Sequence, residues 1–259
     1  MYKRQELGPT FIKFGQILST RPDLVPLPLL RELEKLQDEV PPVKKEDIFS
    51  VIHQALGEKE KMFSRIEEVP IASGSLAQVH RAKLRTGEEV VLKVKKPKVE
   101  EKIRGDIRIL YTFAHLIERF IPELRVYEPM KIVREFEKSV NQELNFLIEA
   151  RNISLLRNVL EKDGVIKVPK LFEEFSTQSL LVMEYIKGTK LREIIEKNSS
   201  LNEAISKKLT DSMLEQIFSY GVFHADPHPG NIIVSNEGDI YFLDFGIIGR
   251  LSEEKRRII

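Results

Sequence analysis

The 259-residue sequence contains no cysteine and no tryptophan, and its positive and negative charges nearly cancel. Without cysteine the chain can form no disulfide and carries no thiolate for catalysis or metal binding. Its 41 Lys and Arg residues against 40 Asp and Glu residues give a formal net charge of +1. A net charge this small produces no overall field that would attract nucleic acid or anionic lipid. We therefore expect no nucleic-acid partner.

Long apolar runs are missing as well. No run reaches the roughly 18 residues that a membrane span requires, and the letters YKRQELG after Met1 do not form the core of a signal peptide. The composition, with 42% hydrophobic and 31% charged residues, is typical of a globular protein rather than a disordered one. These features predict a cytoplasmic chain of one or two domains.

The spacing of hydrophobic residues predicts an α+β protein. Residues 1–60 have a helical pattern that includes a helix over Lys45–Leu56, which ends at Gly57. Three strands are predicted within residues 62–96, the last two forming a hairpin. Beyond them we expect, in order, helices over 99–121 and 131–160, strands in VPKLFEEF and SLLVMEYI, helices over 190–197 and 202–220, and strands in IIVSN and IYFLDFG.

The stretch GVFHADPHPGNIIV, residues 221–234, places polar and turn-forming residues between two apolar runs. By itself it could be an ordinary Pro-Gly turn. However, Asp226 and Asn231 lie five residues apart and Asp244 of LDFG follows 13 residues later, which is the kinase arrangement HRDxxxxN followed by DFG. In that chemistry the first carboxylate orients the nucleophile, while the amide and the second carboxylate hold Mg²⁺. We expect His224 to hold the loop in place by hydrogen bonding.

Upstream segments fit the same chemistry. VVLKV places Lys93 on the third predicted strand, where a kinase lysine contacts the α- and β-phosphates of ATP, although an exposed strand lysine is the plain alternative. Where a kinase has its GxGxxG loop, this chain has ASGS, which alone could be any turn. The segment MEY stands where the hinge of a kinase would contact adenine. The predicted nucleotide-contacting residues are Lys93, Ala72, Ser73, Gly74, Ser75, Glu184 and Tyr185.

Five segments together resemble the UbiB/AarF (ABC1-type) family of atypical kinase-like proteins: KFGQ, ASGSLAQVHRA, QELNFLIEA, HADPHPGN and LDFG. The resemblance covers nearly the whole chain. It implies a two-lobe protein-kinase-like fold with an N-terminal helical extension over 1–60, a kinase-like N-lobe over 61–186 and a partial C-lobe over 187–259. Because the sequence stops 13 residues after Gly246, we expect most of the C-lobe to be missing. Many bacterial members of the family end in membrane-spanning helices, so a membrane-anchored parent protein is also expected.

The resemblance implies further roles one residue at a time. Lys13, Gln16 and Glu143 would lie over the place where a protein kinase binds its peptide substrate, with Lys13 facing Glu143. These three residues would restrict access to the site. Glu149 would pair with Lys93, and these two residues form the predicted catalytic set together with Asp226. Asn231 and Asp244 would hold the metal.

Three features of this chain bear on those roles. Glu143 and Glu149 are six residues apart, about 240° around one helix, so we expect them to point to different sides. The family's ExD motif has Asn145 in place of its second carboxylate, so a role that needs charge there is in question. Gly74 stands where many members have alanine, admits a positive φ, and is expected to ease ATP binding.

The function implied by the resemblance is Mg²⁺-dependent binding of ATP and ADP with hydrolysis or phosphoryl transfer, in support of ubiquinone or isoprenoid-lipid biosynthesis. Partner proteins of a lipid or quinone pathway and peripheral association with the inner membrane are expected. One alternative is a nucleotide-binding pseudokinase-like scaffold. The expected occlusion of the cleft and the missing part of the C-lobe favour it, and four intact residues count against it: Lys93, Asp226, Asn231 and Asp244. Another is a small-molecule kinase of the aminoglycoside- or choline-kinase type, which KFGQ and Phe245-Gly246 count against.

Overall fold

The computed structural model describes residues 10, 13–15, 40–197 and 201–258, apart from a few side chains. Its helices are α1 (Lys45–Leu56), α2 (Val99–Phe120), α3 (Pro129–Glu143), α4 (Phe146–Asp163), α5 (Leu191–Glu196), α6 (Leu201–Glu215) and α7 (Glu253–Ile258). Its strands are β1 (Phe63–Ile66), β2 (Ala72–Ser73), β3 (Ala77–Leu84), β4 (Glu89–Lys95), β5 (Ile166–Lys167), β6 (Leu180–Glu184), β7 (Gly188–Lys190), β8 (Val222–His224), β9 (Ile232–Ser235), β10 (Ile240–Phe242) and β11 (Ile248–Arg250). The mixture of helices and strands confirms the predicted α+β class.

The strands form three sheets. A five-stranded sheet has the order β1-β3-β4-β6, with β2 paired to β3. A four-stranded sheet has the order β5-β10-β9-β7, in which β10 is parallel to β5 and antiparallel to β9. The third sheet is the antiparallel pair β8 and β11, with Ile248 opposite His224. The loop that carries the kinase-like motif connects β8 of the third sheet to β9 of the second.

By their internal contacts the residues fall into two compact units. Unit 1 comprises Met1–Lys83, Leu92–Asn145 and Gln178–Leu180, and unit 2 comprises Leu84–Val91, Phe146–Thr177 and Leu181–Ile259. The domain division at residues 60 and 186 stays a prediction.

The core of unit 1 is built on the predicted amphipathic helix α2. The spacing of Ile103, Ile107, Leu110 and Ala114 places them on one face, and all four are buried. Residues of α3 complete this cluster, among them Phe136. Within the described ranges, no helix is both long and apolar enough to cross a membrane.

The helix predicted over 131–160 is in fact two helices, because α3 ends at Glu143 and α4 begins at Phe146. The Asn145 amide donates to the carbonyl of Gln142 at 3.2 Å, which closes a turn at the break, and asparagine favours such turns over helix interiors. Glu143 and Glu149 therefore lie on different helices. The angle of about 240° between them, which assumed one continuous helix, was wrong.

For two of the predicted strands the structure also differs from the prediction, and a proline explains each difference. VPKLFEEF is not a strand: only Leu171 pairs with Met183, as an isolated bridge, and Pro169 has no amide hydrogen to donate to a ladder. FSRIEEVPIAS is two short strands, β1 and β2, with Pro70 between them. The predicted Lys45–Leu56 helix is confirmed, and Gly57 at its end has a φ of 52°.

Candidate active site

The loop after β8 is a turn that holds itself together by local hydrogen bonds. Pro229, Gly230 and Asn231 form a single 3₁₀ turn before β9. His228 Nδ1 accepts the Gly230 amide at 3.1 Å, and the Asn231 amide donates to the His228 carbonyl at 2.8 Å. Proline suits the first position of such a turn because its φ is already fixed and its missing amide hydrogen is not needed there. HPGN thus presents Asn231 at the start of a strand, and His228 is the acceptor that caps the turn.

His224 connects this loop to the LDFG segment. The imidazole is buried, its Nδ1 accepts the Asp226 amide at 3.2 Å, and its Nε2 pairs with the carbonyl of Asp244. A backbone amide can only donate, so Nδ1 is the acceptor and the ring proton lies on Nε2. Burial lowers the pKa of His224, against the smaller opposing effects of the Asp244 carbonyl and of the nearby carboxylates of Asp244 and Asp226. The predicted role of His224 in holding the loop is confirmed, and the ring is in its neutral form.

The LDFG segment is held on both sides. Leu243 donates its amide to the Asn231 carbonyl at 2.9 Å, which places the two predicted metal-binding segments side by side. Asp244 Oδ1 accepts the Gly246 amide at 2.9 Å. Phe245 is fully buried between these contacts.

Helix α4 supplies further contacts to the backbone of Phe245. Glu149 Oε1 accepts the Phe245 amide at 3.4 Å, and Asn152 Nδ2 donates to the Phe245 carbonyl at 2.8 Å. The predicted catalytic glutamate is therefore buried against the LDFG backbone within unit 2. Glu149 has a structural role here in addition to any role toward a nucleotide.

Gln216 is a site residue that the sequence analysis missed. It begins the single π-helical turn Gln216–Tyr220 that follows α6, and such turns are frequent near functional sites. Its Oε1 accepts the buried His224 amide at 3.0 Å, and its Nε2 donates to Ser212 Oγ at 3.2 Å. Ser212, Gln216 and His224 are all buried. The signal was available, because Ser212 and Gln216 are polar residues spaced to share the buried face of a predicted helix.

The described part of the chain contains no group of three or more His, Cys, Asp or Glu side chains arranged to hold a metal ion. Asn231 and Asp244 instead offer one amide and one carboxylate oxygen. Hard oxygen ligands of this kind fit Mg²⁺, which is usually bound through one or two protein ligands together with substrate phosphates and water. The donor set therefore fits the predicted metal.

In unit 1 the predicted nucleotide loop is a tight turn. Ala72 and Ser73 pair with β3, and the Gly74 amide donates to the Ala77 carbonyl at 2.9 Å. The expectation that Gly74 eases ATP binding was based on a positive φ. The φ of Gly74 is not positive, so this turn does not use the conformational freedom of glycine. A Cβ added at Gly74 would meet nothing closer than the Ala77 carbonyl oxygen, at 3.8 Å. The Ser73 hydroxyl is buried and has no hydrogen-bond partner within the described ranges.

The described part of the KFGQ segment packs on α2 and α3, also in unit 1. Thr10 donates to Asp106 Oδ2 at 2.5 Å, and the ring of Phe14 lies edge-on to that of Phe136 at 5.1 Å between centroids. Lys13 Nζ lies 2.7 Å from Glu143 Oε1, so the contact that the resemblance implies is present. Its role in restricting substrate access stays a prediction. Gln16 lies outside the described residues.

Lys96 is a second residue that the sequence did not single out. It is buried, burial lowers its pKa to about 8, and its Nζ donates to the Pro41 carbonyl at 3.3 Å. It ties the segment before α1 to the end of β4. The segment KVKK contains three lysines, Lys93, Lys95 and Lys96. Nothing in the sequence marks Lys96 as a buried one.

The predicted hinge residues use their amides within unit 2. Glu184 donates its amide to the Lys170 carbonyl at 2.8 Å, and Tyr185 donates its amide to the Glu89 carbonyl at 3.0 Å. The Glu184 carboxylate accepts the Lys170 amide at 3.1 Å. An adenine contact at these two positions would therefore have to use their carbonyl oxygens.

The predicted site residues are divided between the two units. Unit 1 contains Lys13, Ala72, Ser73, Gly74, Ser75, Lys93 and Glu143, and unit 2 contains Glu149, Glu184, Tyr185, Asp226, Asn231 and Asp244. Within unit 2 the backbone and side-chain hydrogen bonds described above join the last three into one network. Lys93 lies in β4 between the fully buried Leu92 and Val94.

Comparisons with known proteins show which family the sequence matches. Residues 35–259 match the ABC1 atypical kinase-like domain. The chain is 42% identical over 258 residues to "Probable protein kinase UbiB" of Pseudomonas paraeruginosa, and 40% identical over 263 residues to the protein of that name from Photobacterium profundum. These alignments cover 96% and 98% of this chain and 48% of each relative, so the chain spans about half the length of the curated relatives it matches.

A solved structure of Rv3197 from Mycobacterium tuberculosis, in complex with erythromycin, has a similar fold. Its TM-score with this chain is 0.72 at 25% sequence identity, over 91% of this chain and 60% of that one. The match supports the kinase-like fold that the motifs predict. Since the domain match covers most of the sequence, the chain belongs to the ABC1 atypical kinase-like family.

Proposed function

We propose that this protein binds ATP together with Mg²⁺ and catalyses ATP hydrolysis or phosphoryl transfer. The proposal rests on the hydrogen-bonded network of unit 2, in which neutral His224 joins the Asp226 amide to the Asp244 carbonyl. Asp226 would orient the attacking hydroxyl or water, while Asn231 and Asp244 would hold the metal. The metal would neutralise charge on the phosphates.

We assign to the remaining site residues the roles that the family resemblance implies. Lys93 would contact the phosphates and Glu149 would support it. The pair of Lys13 and Glu143, with Gln16, would restrict the site against a free protein substrate. We therefore favour a lipid-linked ATPase or a small-molecule kinase over a protein kinase, acting with partners in quinone or isoprenoid-lipid biosynthesis. The name of the UbiB relatives, as probable protein kinases, supports a phosphotransferase in general terms.

Release of inorganic phosphate from ATP, measured with and without Mg²⁺, tests this proposal. The Asp226→Asn variant keeps the size of the side chain and removes the carboxylate, so turnover should fall about 100-fold or more while nucleotide binding is retained. Asp211→Asn, on the exposed face of α6, is the matched control and should have the activity of the parent chain.

Two outcomes would count against the proposal. Equal turnover by the parent chain and Asp226→Asn would remove Asp226 from the chemistry. Nucleotide binding by the parent chain without any turnover would favour the pseudokinase-like scaffold instead.

A further inference from the structure

Helix α4 contacts the LDFG segment through two side chains. Glu149 and Asn152 are three residues apart, so they lie on the same side of the helix. They bond to the amide and to the carbonyl of Phe245, at 3.4 Å and 2.8 Å respectively. The bond from Asn152 has the usual length of an N–H···O hydrogen bond, whereas the bond to Glu149 is long. Asn152 is therefore the stronger of the two contacts.

Helix α4 is a firm support for this contact. Ile153, Leu156 and Leu160 are fully buried, and their spacing of three and four residues places them on one stripe of the helix. Close packing of this kind allows little movement. Asn152 is half-buried next to the stripe. The helix thus presents the carboxamide of Asn152 at a fixed position in unit 2.

The residues on either side of Phe245 are bonded to another part of unit 2. Leu243 donates its amide to the Asn231 carbonyl at 2.9 Å, and the Ile247 carbonyl accepts the Ala225 amide at 3.2 Å. Both partners belong to the segment HADPHPGN. Helix α4 therefore fixes the backbone between two points that the HADPHPGN segment already holds.

The peptide group between Phe245 and Gly246 connects Asn152 to the carboxylate of Asp244. Its carbonyl accepts from Asn152, and its N–H, which belongs to Gly246, donates to Asp244 Oδ1 at 2.9 Å. A trans peptide is planar, and its C=O and N–H point in opposite directions. A rotation that broke one of these bonds would therefore break the other. Glycine permits many backbone conformations, so the orientation of this peptide depends on its hydrogen bonds.

We propose that Asn152 is a positioning residue that orients the Asp244 carboxylate through the Phe245–Gly246 peptide. The inference rests on the proposed function, in which Asp244 holds Mg²⁺. Because Mg²⁺ requires near-ideal octahedral geometry, a ligand that is already oriented binds it more tightly than one that has to be ordered first. Asn152 thus sets how much Mg²⁺ the site needs, without contacting the metal or the nucleotide.

Amide hydrogen exchange, followed by NMR on the full 259-residue chain without nucleotide or metal, tests the positioning itself. Asn152→Leu keeps a branched side chain of similar size and removes the donor. The Gly246 amide should exchange about tenfold faster in this variant, whereas the amide of Leu156, inside α4, should exchange at the parent rate. Asn158→Leu, at an exposed position of the same helix, is the matched control and should leave both rates unchanged.

Titration calorimetry of ATP at several Mg²⁺ concentrations tests the consequence for the metal. The Mg²⁺ concentration that gives half-maximal ATP binding should rise about tenfold in Asn152→Leu, while ATP affinity without Mg²⁺ should equal that of the parent chain. A general loss of stability would reduce binding equally with and without Mg²⁺. Asn158→Leu should again match the parent chain.

A second variant covers the case in which Asn152→Leu does not fold, as judged by circular dichroism. Asn152→Asp keeps the size of the side chain, and at pH 8 its carboxylate can only accept hydrogen bonds. It should produce the same two changes.

Two results would overturn the proposal. One is a parent exchange rate for the Gly246 amide in the folded variants. The other is faster exchange of this amide together with an unchanged requirement for Mg²⁺. If the parent chain itself shows no Mg²⁺-dependent ATP binding, the proposed function fails, and the exchange rates still decide whether Asn152 orients the Phe245–Gly246 peptide.

Discussion

The loop around Asp226 and the turn at Ala72–Ser75 are both predicted to face the nucleotide, yet they are built differently. The first is held by two buried side chains. His224 accepts a hydrogen bond from the Asp226 amide, and Gln216 accepts one from the His224 amide. The second is held by backbone hydrogen bonds: it pairs with β3, the Gly74 amide donates to the Ala77 carbonyl, and the Val40 amide donates to the Ser73 carbonyl.

This difference indicates which part of the site is fixed before a ligand arrives. Removing one buried side chain near Asp226 leaves other buried polar groups without partners, which is costly. At Gly74 a side chain can be added without a clash. However, the Gly74 amide already donates to Ala77, so a phosphate would have to compete for it. We infer that the Asp226 loop is preorganised and that the Ala72–Ser75 turn has to adjust.

The largest effect is expected from Gln216→Leu, which breaks the side-chain network while keeping a side chain of similar size. The buried His224 amide loses its acceptor and Ser212 loses its donor, so the free energy of unfolding should fall by about 2–4 kcal/mol. Urea denaturation measures it. Gln142→Leu, at an exposed position, is the control and should lie within about 0.5 kcal/mol of the parent chain. A loss that small for Gln216→Leu would show that the network contributes little.

The same network predicts a pH dependence of stability. Burial lowers the pKa of His224 in the folded protein below its ordinary value of 6.5, so the unfolded chain binds a proton more readily. The stabilisation is fully present above pH 6.5 and is lost as the pH falls from 6.5 toward the folded pKa. His80 is also buried with a lowered pKa and adds to the effect.

Imidazole resonances followed by NMR between pH 5 and 8 give the titration directly. The signal of His224 is identified by its absence from His224→Asn. The expected midpoint is below 6.5, the ordinary value for histidine. A midpoint at or above that value would mean that the neutral, bonded imidazole described above is not the state in solution.

A smaller effect is expected from the ion pair in unit 1. Lys13 and Glu143 are 2.7 Å apart and their side chains are only 19% and 15% exposed. A double-mutant cycle with Lys13→Met and Glu143→Gln should give a coupling energy of about 1 kcal/mol. The pair of Lys131 and Glu128, also 2.7 Å apart but exposed by 65% and 61%, should couple by less than about 0.5 kcal/mol. Equal coupling in the two pairs would show that the Lys13 segment does not pack on α3 in solution.

The smallest effect is expected from Gly74→Ala, which tests the adjustable turn. The added methyl group meets no close atom, but it stiffens the backbone. ATP affinity should therefore fall about threefold, or ~0.6 kcal/mol, with stability unchanged. Gly105→Ala, at an exposed site of α2 with open space around it, should leave affinity unchanged. Unchanged affinities for both ATP and ADP in Gly74→Ala would show that the flexibility of Gly74 does not contribute to nucleotide binding.

Local patterns in the sequence predicted much of the fold. The amphipathic spacing of α2 and the glycine that ends α1 are local signals, and both elements are confirmed. The errors occurred where a single residue changes the backbone, as at Asn145 between α3 and α4 and at Pro169. Periodicity over a window of residues averages over such a position, so the break was missed.

The candidate site was predictable to the extent that its motifs are contiguous in sequence. The Asp226 loop and the LDFG segment are both short and specific, and the contact of His224 follows from them. Gln216 was missed although its spacing from Ser212 places both on one helix face, because no sequence motif connects it to His224.

Titration calorimetry of ATP and ADP, with and without Mg²⁺, tests the central claim most directly when the parent chain is compared with Asp244→Ala. The account predicts Mg²⁺-dependent ATP binding by the parent chain that is lost in Asp244→Ala, because the proposed function makes this carboxylate, which accepts the Gly246 amide, a metal ligand. Asp239→Ala, which removes an exposed carboxylate beside Lys167, should bind as the parent chain does. An absence of Mg²⁺-dependent binding by the parent chain, or equal binding by Asp244→Ala, would contradict the account.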